Sequence, residues 1–347
     1  MAGQNGSIQL VLLLDAPLSN DKFWLHEKLE AEGFRVSVLG IPGYNMRNRV
    51  VKWRKLLLWW QYFRLGYQGA RLARRINAVV VSWNSIAGAF AAFFVPRGSR
   101  RVIALNLIAY NKGVINHLLR SLVYRHGFSS GRMIATANSL EVRNHYISLF
   151  KVREDQISVL HDSWSPRWQI CPPTVKDDNF VFSGGEASRD WASVLAVAAK
   201  LPQIKFKVVA RKMYWTYASS VPSNMEVYFD LTQDEFYDMA RRSRVVLLSL
   251  KGKITAGLLL LTRSALLGKV VISTQTMATE AYYPESCRDL LLPEGDVEAI
   301  TAAVGRYYCN TDLRLSKASM LQNFIRANYS PEAFSGRVSE LVHDVTN

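Results

Sequence analysis

Short apolar runs alternate with helical stretches along most of this chain, and that alternation restricts the fold more than any other feature. In the first half, runs rich in Val, Ile and Leu occur at residues 8–14, 35–39, 78–82, 101–105, 133–137 and 156–160. They lack strict apolar–polar alternation, as expected of strands that are buried on both faces. Helical periodicity marks the segment that ends at Gly33 and the segment that follows Ser139. Strands that alternate with helices predict a parallel sheet covered by helices.

A second set of strands and helices follows a proline-containing break. Strand-like runs lie at residues 179–183, 205–210, 225–229, 244–250 and 269–273, with a last short one in the sequence DLLLPEGD. Helical segments are predicted at residues 189–200, 234–240, 257–267 and 297–308, with two more in the tail. A chain of 347 residues is also long for one core. The sequence therefore predicts an α/β protein with two doubly wound, Rossmann-like domains that face a cleft.

The predicted boundaries follow the composition. Residues 1–162 form the first domain, and residues 163–178, with three prolines and no periodicity, form a hinge linker. Residues 179–330 form the second domain. A helix is expected at residues 331–347, with the first domain as a candidate surface for it to pack on.

Positive charge is concentrated in the first domain. From Gly33 to Leu140 the sequence has 17 Lys and Arg and no Asp or Glu, whereas the whole chain carries +15, so the remainder sums to −2. A folded lobe with such a surface attracts anions: nucleic acid, anionic lipid or a phosphorylated substrate.

Other sequence features restrict the compartment. The three cysteines, Cys171, Cys287 and Cys309, lie far apart, which predicts neither a disulfide framework nor a zinc site and suits a reducing compartment. The N-terminus lacks the pattern of a signal peptide. An apolar stretch at residues 78–95 is long enough to span a membrane, but the polar residues at 82–85 interrupt it and favour a strand, a loop and a helix. We expect a cytoplasmic protein that is soluble or peripheral to the membrane.

Several segments resemble the GT-B glycosyltransferases, in particular glycosyltransferase family 4 and its relatives. The sequences FVFSGGEASRDWASVLAVAAKLPQIKFKVVA and SRVVLLSL…TAGLLLLTRSALLGKVVIST are similar to parts of that group's nucleotide-sugar-binding domain. The sequences LVLLLDAPLSNDKFWLHEKLEAEGFRVSVLG and ATANSLEVRNHYISLFKVREDQISVLHD are similar to its acceptor domain. The resemblance covers residues 8–334. It implies transfer of a sugar from a nucleotide-diphosphate sugar to a saccharide or lipid-linked acceptor in polysaccharide or glycolipid synthesis.

The donor diphosphate requires backbone N–H groups and positive charge. A helix N-terminus entered through small residues provides both, as in the run Thr255-Ala256-Gly257, with Lys253 just ahead. The turn Gly184-Gly185 is a second candidate, with the alternative that it is only a turn. Arg189 and Arg211 follow strand ends and are candidates to hold the leaving phosphate, although Arg189 has the alternative of being a solvated residue in the first turn of the helix. The resemblance implies that such basic residues replace a metal, and we expect neither a metal nor a cofactor.

One part of the resemblance is missing. Many retaining members of family 4 have two glutamates separated by seven residues, where this sequence has Thr255 and Arg263. Glu280 in the next strand-to-helix loop is a candidate to bind a sugar hydroxyl instead, or is an exposed residue at a helix start. The sequence leaves open whether the reaction retains or inverts configuration.

An inverting reaction needs a general base in the acceptor domain. Because residues 33–140 contain no carboxylate, the candidates are Asp15 at the end of the first strand, His117, His126 and the pair His161-Asp162. A lone histidine is more often structural, so Asp15 is the first choice.

Residues 47–75 hold nine basic residues, three tryptophans and no acid. On a helix, an apolar stripe would form, with basic residues beside it. The stripe contains Trp53, Leu56, Leu57, Trp60, Phe63 and Tyr67. This pattern is typical of a helix that lies in an anionic membrane surface, here the inner face, although packing on the sheet is the alternative.

Three alternative functions remain open. The basic charge would suit nucleic acid, but the aromatic residues do not alternate with Arg as in a base-stacking surface, so no nucleic-acid partner is expected. A sugar-nucleotide epimerase shares the two-domain architecture. A non-catalytic GT-B subunit would explain the missing glutamate pair.

Overall fold

The computed structural model describes residues 7–16, 24–41, 52–96, 101–108, 114–252 and 256–346, without the side chains of residues 52–55 and 114–117. The chain forms two compact units. Unit 1 comprises Met1–Arg167 and Pro331–Asn347, and unit 2 comprises Trp168–Ser330.

The first half contains β1 (Gln9–Leu14), α1 (Trp24–Ala31), β2 (Arg35–Gly40), α2 (Lys52–Ile76), β3 (Val79–Ser82), α3 (Ser85–Ala91), β4 (Val102–Ala104), α4 (Val114–Ser129), β5 (Met133–Ala137), α5 (Leu140–Phe150) and β6 (Ile157–Val159). The second half contains β7 (Phe180–Gly184), α6 (Trp191–Lys200), β8 (Lys205–Ala210), β9 (Met225–Phe229), α7 (Gln233–Arg242), β10 (Val245–Leu248), α8 (Leu258–Leu266), β11 (Val271–Thr274), β12 (Leu291–Leu292), α9 (Val297–Cys309) and α10 (Thr311–Asn328). The last helix, α11 (Pro331–Thr346), belongs to unit 1.

The described residues form two six-stranded sheets of parallel strands, which confirms the predicted pair of Rossmann-like folds. The order in unit 1 is β2-β1-β3-β4-β5-β6, and in unit 2 it is β12-β11-β10-β7-β8-β9. Each order reverses once, between β1 and β3 and between β7 and β10. Open α/β sheets bind ligands at the carboxyl ends of the strands beside such a reversal.

Helices cover both faces of the unit 1 sheet. On one face, α1 and α11 pack together: Trp24 meets Phe334 edge-to-face at 5.7 Å, and Lys28 bonds Glu332 at 2.7 Å. On the other face, α2 packs closely because it carries glycine at its contacts. A Cβ atom at Gly66 would lie 2.6 Å from the Ala87 carbonyl oxygen of α3, and one at Gly69 would lie 2.6 Å from Leu13 of β1.

The apolar stretch at residues 78–95 forms β3, a polar loop and α3, as predicted, and its side chains are mostly buried. Among the described residues, no helix is both long enough and apolar enough to cross a membrane.

The second part of the predicted linker is built into unit 2. Cys171 donates its N–H to the Leu266 carbonyl at 2.9 Å and accepts from the Gln322 amide at 2.7 Å. The Asp177 side chain, only 1% exposed, accepts from Arg244 Nε at 2.9 Å and lies 3.6 Å from Arg314 Nη2. These contacts hold Cys171 against α8 and α10, and Asp177 against α10 and the residue that precedes β10.

We expect Asp177→Asn to lower the free energy of unfolding of unit 2 by about 3 kcal/mol, because it removes one partner of a buried charge pair. Urea unfolding measures the change. Asp178→Asn is the matched control, since Asp178 pairs with Arg242 at the surface, where solvent screens the interaction. Equal unfolding midpoints for the two variants would contradict this account.

Candidate functional site

Two loops meet where the strand order of unit 2 reverses. One loop follows β7, which ends at Gly184, and begins with Gly185, and the other loop follows β10. Lys251 donates its N–H to the Ser188 carbonyl at 2.8 Å, and Asp190 donates to the Ser249 carbonyl at 3.1 Å. These bonds fix the two loops side by side at the carboxyl edge of the sheet, beside the reversal.

Arg189 fixes the conformation of the loop after β7. Its Nε donates to the Gly184 carbonyl at 2.6 Å and its Nη1 to the Ala187 carbonyl at 2.9 Å. Burial lowers the pKa of Arg189 to about 10. This value is still well above neutral pH, where the guanidinium therefore stays charged. Gly185 has φ +122°, and a Cβ there would lie 2.3 Å from Arg189 Nη2, which explains the glycine. The predicted helix start at Arg189 was wrong, because Arg189 instead pairs with Leu250 and the helix begins at Trp191.

The two predicted helix N-termini differ in what caps them. Asp190, 8% exposed, caps α6: its carboxylate accepts from the Ser193 N–H at 3.3 Å and the Ser193 hydroxyl at 2.5 Å. A phosphate at α6 would meet this carboxylate. Gly257 caps α8 with φ +85° and has no side chain there. The first amides of α8 are therefore the better anion site of the two.

The loop before α8 contains two more of the predicted donor-site residues. The predicted residues Lys253 and Thr255 lie outside the described residues. Ala256 is buried beside Gly257. Lys251, which the sequence analysis did not select, follows β10 directly, is exposed and forms no ion pair with another described residue. It stands one residue after Leu250, the partner of Arg189, so its position after the strand was the available signal.

Arg211 stands after β8 and is already paired. It bonds Glu186 through Nε, and its Nη1 lies 3.4 Å from Asp230 Oδ1. Partial burial lowers the pKa of Arg211, but the bonds and charges of the two carboxylates outweigh it and raise the pKa above its usual value. A phosphate would compete with Glu186 and Asp230 for this side chain. Neither carboxylate was predicted from the sequence, because Glu186 and Asp230 lie 25 and 19 residues from Arg211.

Glu280 begins a 3₁₀ turn after β11, one strand further from the reversal. Its Oε1 lies 3.1 Å from Arg288 Nη1, and its carbonyl accepts from the same guanidinium at 3.2 Å. This pairing favours a structural contact, so a role in binding a sugar hydroxyl stays a prediction.

In unit 1, Asp15 lies at the carboxyl end of β1, beside the strand reversal. It is 5% exposed and accepts from Asn84 Nδ2 at 3.0 Å. Asn84 follows β3 and caps α3, because its Oδ1 accepts from the N–H groups of Ile86 and Ala87 at 3.0 and 3.2 Å. The cap orients the Asn84 amide toward Asp15, which fixes the carboxylate.

The histidine candidates of α4 lie at opposite edges of the unit 1 sheet. His126 is in the last turn of α4, at the amino edge of the sheet, where it stacks on Phe93 at 3.9 Å and its Nε2 lies 3.4 Å from Arg132. The structure does not bring His126 to the edge that holds Asp15, because a helix between parallel strands runs against them. His117 is in the first turn of α4, at the carboxyl edge, but its side chain lies outside the described residues.

His161 and Asp162 follow β6, also at the carboxyl edge. His161 Nδ1 donates to the Asn138 carbonyl at 2.8 Å, and Asn138 Nδ2 lies 3.4 Å from Asp162 Oδ2. Burial raises the pKa of Asp162. Four strand spacings separate β6 from β1, about 19 Å, so Asp162 and Asp15 do not act on one atom. Among the described residues, no three His, Cys, Asp or Glu side chains are grouped as a metal site.

No protein-family model matches the sequence, and no curated protein matches it. Solved structures do. The structure of Anabaena Alr3699/HepE with UDP and glucose has a TM-score of 0.66 at 11% identity, covering 96% of this chain and 99% of that one. Sucrose-phosphate synthase from Thermosynechococcus elongatus has a TM-score of 0.72 at 10% identity, covering 97% and 99%. The structure of the lipopolysaccharide outer core galactosyltransferase WaaB has a TM-score of 0.64 at 10% identity, covering 97% of this chain and 99% of that one.

The chain has the GT-B fold. The narrower resemblance to family 4 stays a prediction. Of the two positions where family 4 members often have glutamate, Thr255 lies outside the described residues. Arg263 lies 3.7 Å from the Tyr237 ring and 5.4 Å from the Trp168 ring, a position that packs unit 2 together.

Gly257→Asp and Gly257→Asn test the α8 site as a matched pair. Both side chains have the same size and tolerate positive φ, but only Asp brings charge to the first amides of α8. We expect Gly257→Asp to bind nucleotide sugars at least about tenfold more weakly than Gly257→Asn, a factor that corresponds to about 1.4 kcal/mol. Calorimetric titration measures both, with thermal midpoints as the control for strain. Equal affinities would remove α8 from the donor site.

Proposed function

We propose that this protein is a glycosyltransferase that moves a sugar from a nucleotide-diphosphate sugar to a saccharide acceptor. One observation carries the proposal: at the strand reversal of unit 2, the glycine-capped N-terminus of α8 lies beside the loop that Arg189 holds. Both features favour an anion. A diphosphate is the donor group that such a site suits. The fold of HepE, solved with UDP and glucose, adds support by analogy.

The leaving nucleoside diphosphate is stabilised, in this proposal, by the amides of α8 and by Arg189 and Lys251, without a metal. Arg189 is charged at neutral pH and Lys251 has no carboxylate partner among the described residues. Electrostatic stabilisation of the leaving group by fixed donors replaces the Lewis acid that other transferases use. Arg211 contributes less, because two carboxylates hold it.

The acceptor, we further propose, is a lipid-linked saccharide in polysaccharide or glycolipid synthesis, on the inner face of a membrane. The support is the stretch of unit 1 from residue 33 to residue 140, which contains no Asp or Glu, and the apolar side chains of α2 that face solvent, among them Leu56, Leu57 and Trp60. WaaB, which is named a lipopolysaccharide outer core galactosyltransferase, shares the fold.

Asp15 is the proposed general base of an inverting transfer. It accepts the proton of the acceptor hydroxyl as that oxygen attacks the anomeric carbon, while the bond from that carbon to the diphosphate oxygen breaks. Asn84, fixed by the start of α3, positions the carboxylate through its 3.0 Å bond. His117 is the second candidate for this role, at the same edge of unit 1.

A thermal-shift screen with UDP-, GDP- and dTDP-sugars, run in EDTA, tests the donor assignment. We expect one nucleotide class to raise the midpoint in EDTA, with about 2.7 kcal/mol of stabilisation when the ligand is at 100 times its dissociation constant. Turnover should persist in EDTA. Stabilisation by none of the three classes would reject the donor site, and activity that returns only with added magnesium or manganese would reject the metal-free mechanism. Binding without turnover would favour a non-catalytic subunit.

Asp15→Asn should lower kcat by about 10²–10⁴-fold, the usual contribution of a general base, and leave donor affinity unchanged because the donor binds unit 2. His126→Gln is the control and should retain the wild-type kcat, since His126 lies at the amino edge. Steady-state kinetics with a fixed acceptor measure both. Loss of turnover in His117→Asn together with an active Asp15→Asn would move the base to His117.

A further inference from the structure

Two helices of unit 1 expose large apolar side chains near their N-termini. On α2, Leu56 is 74% and Trp60 is 60% exposed, and on α4, Leu118 is 55% and Leu122 is 65% exposed. Leu57 and Leu119 are exposed beside them. The opposite faces of the same helices are buried, through Leu58, Tyr62 and Leu65 on α2 and through Tyr124 and Phe128 on α4. The exposed residues are therefore the outer faces of packed helices. We call these six residues, Leu56, Leu57, Trp60, Leu118, Leu119 and Leu122, the apolar face.

The two halves of the apolar face belong to one layer of helices. Helix α3 joins them: Phe63 of α2 meets Phe90 of α3 at 5.5 Å, and Ser85 of α3 shares a 2.9 Å hydrogen bond with Tyr124 of α4. All three helices lie between parallel strands and so begin at the carboxyl edge of the sheet. The apolar residues lie within about 12 Å of the start of α2 and of α4 along the helix axis. They are at the same end of unit 1 as Asp15.

Basic side chains continue the surface toward the other end. Arg64 lies one turn after Trp60, and Arg125 lies one turn after Leu122, and both are exposed. At the end of α2, Arg71, Arg74 and Arg75 line a pocket of about 410 Å³ with Tyr67 and Phe94. None of these arginines forms an ion pair with another described residue, and neither helix contains an acid.

The charge decides which partner suits this surface. A second copy of the chain that docked through this same face would bring a further basic surface without acids against it, and like charges oppose that contact. An anionic bilayer instead offers negative headgroups for the arginines and an acyl region for the leucines and Trp60. Exposed apolar patches rimmed by polar residues mark such interaction sites.

We propose that the apolar face inserts into an anionic membrane through α2 and α4 together, and that this holds the Asp15 edge of unit 1 against the headgroups. Helix α4 is thus a second membrane element, next to the α2 segment. The inference rests on the proposed function only where it says that a lipid-linked acceptor reaches Asp15. The arginines further along α2 bind the headgroups, and the leucines anchor the edge.

The variant Leu118→Ser/Leu122→Ser tests the role of α4, with Met320→Ser on α10 of unit 2 as the matched control for loss of an exposed apolar side chain. Cosedimentation uses vesicles of phosphatidylcholine with phosphatidylglycerol, and of phosphatidylcholine alone, at low and high salt. We expect the α4 variant to lose at least about tenfold in vesicle affinity, persisting at high salt because the lost contact is apolar. Met320→Ser should bind as the wild type does. Thermal midpoints check that all variants fold.

The reciprocal variant Arg64→Gln/Arg125→Gln should weaken binding to the anionic vesicles at low salt and flatten the salt dependence of that binding.

Four outcomes would overturn the proposal: no vesicle binding by the wild type, equal binding of wild type and the α4 variant, an equal loss in Met320→Ser, or a fall in solution mass of the α4 variant that reveals a dimer contact. Nucleotide-sugar stabilisation measured on the same samples separates the two claims. Vesicle binding without stabilisation by any nucleotide sugar would reject the proposed transferase. Stabilisation by a nucleotide sugar without vesicle binding would reject the membrane surface.

Discussion

The direction of the strands determines where chemistry can occur in this protein. In both sheets the described strands pair in parallel, so every connecting helix must run back against them. Strand carboxyl ends and helix N-termini therefore share one edge of each sheet. Asp15 and the Asn84 cap lie at that edge in unit 1, and Gly185, Arg189 and Gly257 lie at it in unit 2. The same rule moves His126, at the end of a helix, to the opposite edge.

Within unit 2, the residues that cap α6 and α8 determine which helix N-terminus can bind an anion. Asp190 fills the N-terminus of α6 with a fixed carboxylate, which stabilises the helix and repels a further anion. Gly257 leaves the N-terminus of α8 without a side chain, at a backbone angle that suits glycine. Two helix starts at one sheet edge thus differ in charge by a whole carboxylate. That difference assigns the diphosphate to α8 more firmly than the glycine content of either loop.

The sequence predicted the fold well because strands buried on both faces have a strong apolar signal. The bounds of β5, β8 and β9 were predicted to the residue, and most others to within one or two. The start of α6 was misplaced because Arg189 pairs with Leu250, a contact 61 positions away in sequence. The candidate site was predicted in part: Gly185, Arg189 and Gly257 do lie at one strand reversal. Local patterns could not indicate that Glu186 and Asp230 hold Arg211, or that Glu280 holds Arg288, since those pairs form only after folding.

The α4 leucines were missed for a related reason. A helix of leucines between two strands suits a buried element as well as an exposed one, and only the packing of Tyr124 and Phe128 determines which face remains outside. The exposed leucines of α4 are unfavourable for a protein free in water, because exposed apolar side chains promote association. The basic residues around them oppose association between copies, since they carry charge of one sign with no acid from Gly33 to Leu140. The like charge thus disfavours contact between two copies through this face, and the apolar exposure together with that charge favours a partner that is both anionic and apolar.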